Sequence, residues 1–285
     1  MSSVHETIKT FREKKLSPKK WLGQNLLVDV QYLERIISAA QVTPGEYIVE
    51  VGAGLGALTK SLADSGARVI AIEIDSGFFR ELQSKFGGVE NVELVHADAL
   101  KFNFRELAGR VGRLRVVANL PYSVSSRLVF MFQDNSDIFG SLTIMLQKEV
   151  ADRFMAEPGG KEYGTLSALL GVRSTVRALF DIPGRAFYPA PAVDSTLIRI
   201  DFYENPQIHV SDYKLLTRLV KTAFSARRKT LRNNLKSMLA PGLDADGFQR
   251  AADRSGIDLG RRAETLSPFE FAAFSNAIGE EMSVR

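Results

Sequence analysis

The sequence predicts an α/β fold: a parallel sheet with helices on both faces, followed by a smaller helical C-terminal domain. Three observations carry this. Strand-like and helix-like stretches alternate from Tyr47 to Met155, the signature of a parallel sheet with helices on both faces. A glycine-rich turn joins the first such strand to its helix. Beyond Glu204 the pattern reads almost wholly helical.

Each element follows from local pattern. "DVQYLERIISAA" sets Val30, Leu33, Ile36, Ile37 and Ala40 at helical spacing, and "TPGE" ends that helix. "YIVEV", "RVIAIEID", "VELVHAD", "LRVVAN" and "SLTIMLQ" are apolar runs of strand length. Between and after them "LGALTKSLADSG", "GFFRELQSKF", "FRELAGR", "SSRLVFMFQD" and "KEVADRFM" read as helices. "YGTLSALLGVRS" reads helical, and "TVRALFDI" and "VDSTLIRIDF" are two further strands joined by the Pro-rich "PGRAFYPAPA". A boundary near Glu204 to Ile208 divides the chain into 1–205, carrying the sheet and a basic N-terminal arm, and 206–285.

The chain has 285 residues, 45% hydrophobic and 25% charged, enough to bury a sizeable core. With no cysteine there are no disulfides or thiolate sites, which suits a reducing compartment. No stretch has the length of a signal peptide's apolar run or a membrane span, so a cytoplasmic protein with no membrane partner is expected. The net charge of +4 is mild but clustered. "KTAFSARRKTLRNNLK" holds six basic residues and no acidic one, and "REKKLSPKKW" is also basic. Such clusters suit a polyanion such as nucleic acid, or else form a solvated helix face. His5, His96 and His209 have no metal-ligand spacing, so no metal is expected; Trp21 beside Lys19 and Lys20 is either an RNA contact or an anchor for the arm.

In "VEVGAGLGALT", Gly52, Gly54 and Gly56 allow close approach of backbone to a ligand, with Ala57 in the last small position. Glu73 ends the next strand, where a carboxylate can accept both ribose hydroxyls of an adenosine. Asp98 ends the third strand in the same crevice. This pattern indicates an adenosine-containing cofactor, with NAD and S-adenosylmethionine both open. Glu50 favours the latter, because negative charge suits a cationic sulfonium better than a pyrophosphate. Asp98 favours it too, as a second acid for the adenine amine.

The fourth strand ends in "NLPYSVSS". Asn119 offers an acceptor oxygen and two donors at the crevice. Pro121 biases Leu120 to an extended conformation, so that its carbonyl can lie beside the Asn119 oxygen. Two acceptors suit an exocyclic NH₂, and Tyr122 gives a base a face to stack on. Transfer from a sulfonium to such an amine needs orientation more than acid–base help, and the base must leave its stack. The competing reading is a helix cap, with Asn119 as cap and Pro121 at the first position.

These residues resemble the ribosomal RNA adenine N6-dimethyltransferases, most closely the small-subunit type that dimethylates two adjacent adenosines in a hairpin near the 3′ end of 16S rRNA. The resemblance runs from Leu16 to Ile278. "KKWLGQNLLVD", "VEVGAGLGALT", "AIEID", "HADAL", "NLPYSVSS", "MLQKEVADR", "FYPAPAVDST", "AFSARRKTLRNNL" and "RRAETLSPFEF" follow in the family's order. Leu26 stands where phenylalanine is usual, Ala192 where lysine is common, and Ser123 where another residue is frequent.

The resemblance implies a class I S-adenosylmethionine-dependent methyltransferase fold, with a Rossmann-like, mixed but mostly parallel seven-stranded sheet and a smaller all-helical C-terminal domain, and a monomer acting on 16S rRNA in the 30S subunit during ribosome biogenesis. It assigns Asn25, Leu27, Gly52, Glu73, Asp98 and Asn119 to the cofactor. Asn119, Leu120, Pro121 and Tyr122 go to catalysis. Tyr122 and Phe187 become the aromatic walls of the target pocket, and Arg227, Arg228, Lys229 and Arg232 join them in substrate binding. A 23S rRNA methyltransferase conferring macrolide resistance and a 30S assembly-checkpoint factor are the rival readings.

Overall fold

The computed structural model describes residues 9, 11, 13, 14, 24–206, 208–238 and 243–283. Most of the basic arm, with His5, Lys19, Lys20 and Trp21, lies outside the described residues. The chain forms two compact units, one of residues 1–151 and 177–202, the other of 152–176 and 203–285.

The first unit holds the seven-stranded sheet. Its strands are β2 (Tyr47–Val51), β3 (Arg68–Glu73), β4 (Val92–His96), β5 (Leu114–Asn119), β6 (Phe139–Gln147), β7 (Ser174–Ile182) and β9 (Ser195–Phe202), in the order β4-β3-β2-β5-β6-β9-β7. β4 through β6 are parallel and β9 is antiparallel to β6. From Val69 to Glu73 every residue of β3 is buried, as a parallel strand covered on both faces requires. Helices α1 (Val30–Ala40), α2 (Ala57–Asp64), α3 (Ser76–Phe86), α4 (Phe104–Val111) and α5 (Ser125–Asp134) connect or precede the strands, and α6 (Lys148–Met155) follows β6. Asp29 starts α1 by accepting from the Gln31 N–H at 3.0 Å, and Asp75 starts α3 by accepting from Gly77 and Phe78. Leu33, Ile36 and Ala40 of α1 are buried in one cluster with Ile48, Leu62, Val69 and Val117, the apolar stripe its spacing predicts.

A two-stranded ribbon escapes the sequence pattern. β1 (Leu26–Leu27) runs antiparallel to β8 (Phe187–Tyr188), pairing Leu26 with Tyr188 and Leu27 with Phe187. It ties the segment before α1 to the Pro-rich link before β9. Phe11 packs on Tyr188 and Phe78, with ring centroids 5.7 and 6.1 Å apart.

The second unit comprises α7 (Thr165–Arg173), α8 (Tyr213–Ala223), α9 (Leu231–Asn234), α10 (Ala245–Ser255) and α11 (Pro268–Ser283). The division corrects the expected single boundary at 205/206, because residues 152–176 cluster with the C-terminal helices. The physical reason is packing of α7 against α11. A Cβ at Gly171 would lie 2.6 Å from the Pro268 ring, and the buried Tyr163 hydroxyl donates to the Leu266 carbonyl at 2.9 Å. The stretch 221–236 is not one helix. α8 stops at Ala223, a turn follows, and buried Asn234 donates to the carbonyls of Ala223 at 2.6 Å and Ala226 at 3.0 Å. That clamp fixes the turn presenting Arg228 and Lys229.

Candidate functional site

The order β3-β2-β5 means the chain winds outward in both directions from β2 and β5. The crevice outside the carboxyl ends of these strands is the switch point where open α/β sheets bind ligands. The glycine turn follows β2 and Asn-Leu-Pro-Tyr follows β5, and the pair Val49–Val116 keeps the two strands in step. Both motifs therefore open into one crevice.

Gly52 has φ +77° and Gly54 φ +59°, conformations that side chains disfavour. The two glycines also lack the space for a side chain. A Cβ on Gly52 would lie 3.2 Å from Cδ of Pro121, and one on Gly54 would lie 2.7 Å from Cδ2 of Leu26. The turn is held from the neighbouring strand. Glu73 accepts from the Gly54 N–H at 2.8 Å through Oε2 and from the Asp75 N–H at 2.8 Å through Oε1. Burial pushes the Glu73 pKa up, and these backbone N–H groups pull it partly back. Each carboxylate oxygen retains accepting capacity. β4 stops at His96, so Asp98 lies two residues past the strand end; it is half-buried and accepts from the Leu100 N–H at 3.0 Å, which orients its carboxylate.

Glu50 is almost wholly buried and takes the Thr59 hydroxyl at 2.5 Å. Burial raises its pKa to about 8, with the nearby Glu73 charge adding to the rise. A cavity of about 1040 Å³ is lined by Glu50, Gly52, Asn119, Leu26 and Leu27 and extends between α1 and α2; Glu73 and Asp98 are not among its lining residues.

Asn119 donates from Nδ2 to the Asn25 carbonyl at 2.7 Å, which fixes the amide, since only its nitrogen can donate. The opposite atom, Oδ1, is buried and has no hydrogen-bond partner among the described residues. A buried acceptor left unpaired costs about 1–3 kcal/mol and points to a donor supplied from outside the chain. The helix-cap reading falls here, because α5 begins at Ser125 with Val124 in the cap position. Tyr122 is half-buried, and its hydroxyl lies 2.6 Å from Ser195 Oγ.

Other expected residues sit differently. Asn25 meets Asn119 through its main chain. Phe187, expected as the second aromatic wall, is only 2% exposed and belongs to the core cluster with Leu27, Val117 and Leu197, so it anchors the ribbon and offers no open face. Arg227 pairs with Glu264 at 2.6 Å and Arg232 donates to Gln249 at 3.1 Å; all four basic residues are exposed, and these two are engaged inside the second unit. His96 stacks on Phe79 and donates to the Ile74 carbonyl at 3.2 Å. Among the described residues no three His, Asp or Glu side chains group as metal ligands.

Sequence reading missed Ile74, an apolar side chain 46% exposed directly after Glu73. Its signal was present: an isoleucine follows the strand-end acid where the strand stops. It missed Ser195 altogether, because a serine opening a strand carries no pattern.

The glycine turn, the acids at successive strand ends and the unpaired Asn119 oxygen fit an adenosine-containing methyl donor. With the seven-stranded sheet they define a class I S-adenosylmethionine-dependent methyltransferase. The model of the ribosomal RNA adenine dimethylase family matches residues 15–278. The chain is 44% identical over 263 residues to the Ribosomal RNA small subunit methyltransferase A of Geobacter metallireducens, covering 91% of this chain and 95% of that one. It is 38% identical over 291 residues to the protein of that name from Desulfotalea psychrophila, covering 99% of each. In fold it resembles a dimethyladenosine transferase from Plasmodium falciparum, with TM-score 0.73 and 24% identity over 90% of this chain and 98% of that one. It likewise resembles the 23S rRNA methyltransferase ErmE, with TM-score 0.66 and 22% identity over 90% and 100%. The chain belongs to the ribosomal RNA adenine dimethylase family. It is an S-adenosylmethionine-dependent enzyme acting on adenine in ribosomal RNA.

Proposed function

We propose that the enzyme dimethylates N6 of two adjacent adenosines in the 3′-terminal hairpin of 16S rRNA, within the 30S particle, during subunit biogenesis. The observation that carries the chemistry is the buried, unpartnered Asn119 Oδ1 beside the glycine turn. The small-subunit relatives, similar over nearly their whole length, support the choice of RNA.

Glu73 takes the ribose hydroxyls, Asp98 the adenine amine, and Ile74 covers the adenine face. Asn25 and Leu27 wall the cofactor from the β1 side. Gly52 admits the methionine end. The bound cofactor supplies a methyl group on a cationic sulfur. Asn119 Oδ1 and the Leu120 carbonyl accept the two hydrogens of the target N6, which favours a pyramidal nitrogen and aims its lone pair at that methyl. Pro121, held against Gly52, fixes the Leu120 carbonyl. As the nitrogen bonds to the methyl, the S–CH₃ bond would break with its electron pair left on sulfur, and the nitrogen would then lose its proton to water, so no general base is required before attack and orientation is the main demand. Tyr122 stacks the extruded base, a contact worth about 1–3 kcal/mol. Arg228 and Lys229 take phosphates, with the helical unit serving as the rRNA-binding part.

The test is methyl transfer from labelled S-adenosylmethionine to under-methylated 30S and 50S particles, with the modified nucleotide mapped. Label at two adjacent 16S adenosines is expected. Label in 23S rRNA, or none in 16S, refutes the reading. Glu73→Ala separates catalysis from occupancy, since it removes cofactor binding while leaving the RNA-binding surface intact. If ribosome maturation survives that change but not deletion, occupancy of the 30S subunit is the dominant role.

A further inference from the structure

Asn119 and Pro121 are each fixed from two sides: Asn119 by its strand and by Asn25, Pro121 by its ring closure and by Gly52. Tyr122 has its backbone fixed by the turn, in which the Val124 N–H donates to the Pro121 carbonyl at 3.1 Å. Its ring, however, hangs on two side-chain torsions, and the one atom that can tie down its far end is the phenolic oxygen. That oxygen lies 2.6 Å from Ser195 Oγ.

Ser195 is built to hold still. It is fully buried, and it opens β9 opposite Gln147 of β6. On its N-terminal side, Asp194 accepts the Lys148 N–H at 3.0 Å through its carbonyl and the Gly184 N–H at 2.9 Å through its carboxylate. On its C-terminal side, the Thr196 hydroxyl donates to Asp181 at 2.7 Å, and Lys148 pairs with that same carboxylate at 2.8 Å. The two motifs "MLQKEV" and "PAVDST" thus converge on a clamped strand start. The serine hydroxyl faces Tyr122 while the neighbouring threonine hydroxyl serves the clamp.

We propose that Ser195 is a positioning residue for methyl transfer, setting the plane of the Tyr122 ring against which the target adenine is held. This rests on the reading that Tyr122 stacks that base. A hydrogen bond of ordinary net strength predicts that losing it lowers kcat about threefold to tenfold. KM for the ribosomal particle and affinity for S-adenosylmethionine stay unchanged, because Ser195 reaches neither. Misalignment also raises the share of monomethylated product, since the second transfer must place a bulkier nitrogen.

The test compares Ser195→Ala, Tyr122→Phe and the double variant on under-methylated 30S particles, reading kcat, KM, product ratio and Tm. Each single variant leaves one buried hydroxyl unpaired and lowers both Tm and kcat. The double variant removes both partners, so Tm recovers while kcat stays at the level of the single variants. Recovery of kcat together with Tm makes the bond merely structural and overturns the proposal. Multiplying losses in the double variant also overturn it, because Ser195 would then act through something other than Tyr122. So does wild-type kcat in Ser195→Ala. If Ser195→Ala does not fold, Tyr122→Phe and the double variant still decide. Failure of the wild-type enzyme to label 16S rRNA is a separate result and sinks the functional reading instead.

Discussion

Replacing Glu50 with glutamine should make the cofactor-free protein more stable, and increasingly so as pH rises. Burial lifts the Glu50 pKa from 4.5 to about 8. The folded state therefore keeps a proton that the unfolded chain gives up above pH 4.5. Its contribution to stability is fully present below that pH and is lost as pH rises through about 8. Each pH unit between the two pKa values costs about 1.4 kcal/mol, which sets a ceiling of about 5 kcal/mol at pH 8.5. Glu50 lines a large cavity, and water entering it recovers part of this, so a gain of about 2 kcal/mol or more is expected for Glu50→Gln. Urea midpoints measured from pH 4 to 9 should nearly coincide at the acid end, separate between about pH 4.5 and 8, and keep a constant gap above that. Parallel curves, or a gap that closes with rising pH, would refute the reasoning. Saturating S-adenosylmethionine should narrow the gap, because a cation at the methionine end favours the carboxylate and gives the wild-type protein the larger stabilisation.

The remaining predictions concern the two halves of the crevice and the basic turn. Asn119→Ala should lower the single-turnover rate on 30S particles by about a hundredfold or more, the scale on which a lost orienting hydrogen bond acts; a near-normal rate would remove Asn119 from the chemistry. Gly52→Ala must hold a positive φ, costing about 1–2 kcal/mol, and must push back the Pro121 ring, 3.2 Å from the new carbon. Calorimetric cofactor affinity and kcat should fall together, and loss of only one would refute the coupling. Arg228→Ala with Lys229→Ala should reduce the slope of log affinity against log salt by about 1.5. By contrast, Arg227→Ala should leave that slope alone and lower the urea midpoint slightly, by about 0.5 kcal/mol for a half-exposed pair with Glu264.

The parallel sheet was legible because its strands are buried on both faces and read as continuous apolar runs, as in Val69 to Ile72. The placement of Glu73 and Asp98 at or just past the carboxyl ends of successive strands was legible because each acid follows an apolar run. What failed to show was whatever depends on contacts far apart in sequence. The β1–β8 ribbon is four residues from segments 160 positions apart, too short to carry a period. The resemblance made Phe187 an aromatic wall of the target pocket, yet its pairing with Leu27 places it in the core. Residues 152–176 lie before the expected boundary near 205, and the contacts of Gly171 with Pro268 and of Tyr163 with Leu266 assign them to the helical unit. Among the basic residues, sequence could not tell a phosphate ligand from an internal brace, since Arg227 and Arg228 differ only in which way the clamped turn sends them.

The contact between Gly52 and Pro121 gives the site its logic. Methyl transfer needs donor and acceptor aligned to a fraction of an ångström, and flexible side chains hold such tolerances poorly. Here the cofactor turn and the target loop touch through a glycine without a side chain and a proline without a free φ. A Cβ on Gly52 would also lie 3.7 Å from the Asn119 carbonyl oxygen, so the strand end itself abuts the turn. The two side chains that must reach out, Asn119 and Tyr122, are each pinned at one end, by the Asn25 carbonyl and by the Ser195 hydroxyl. On the proposed mechanism, the atoms left to meet the substrate are the Asn119 oxygen and the tyrosine face, each on a side chain braced at its other end.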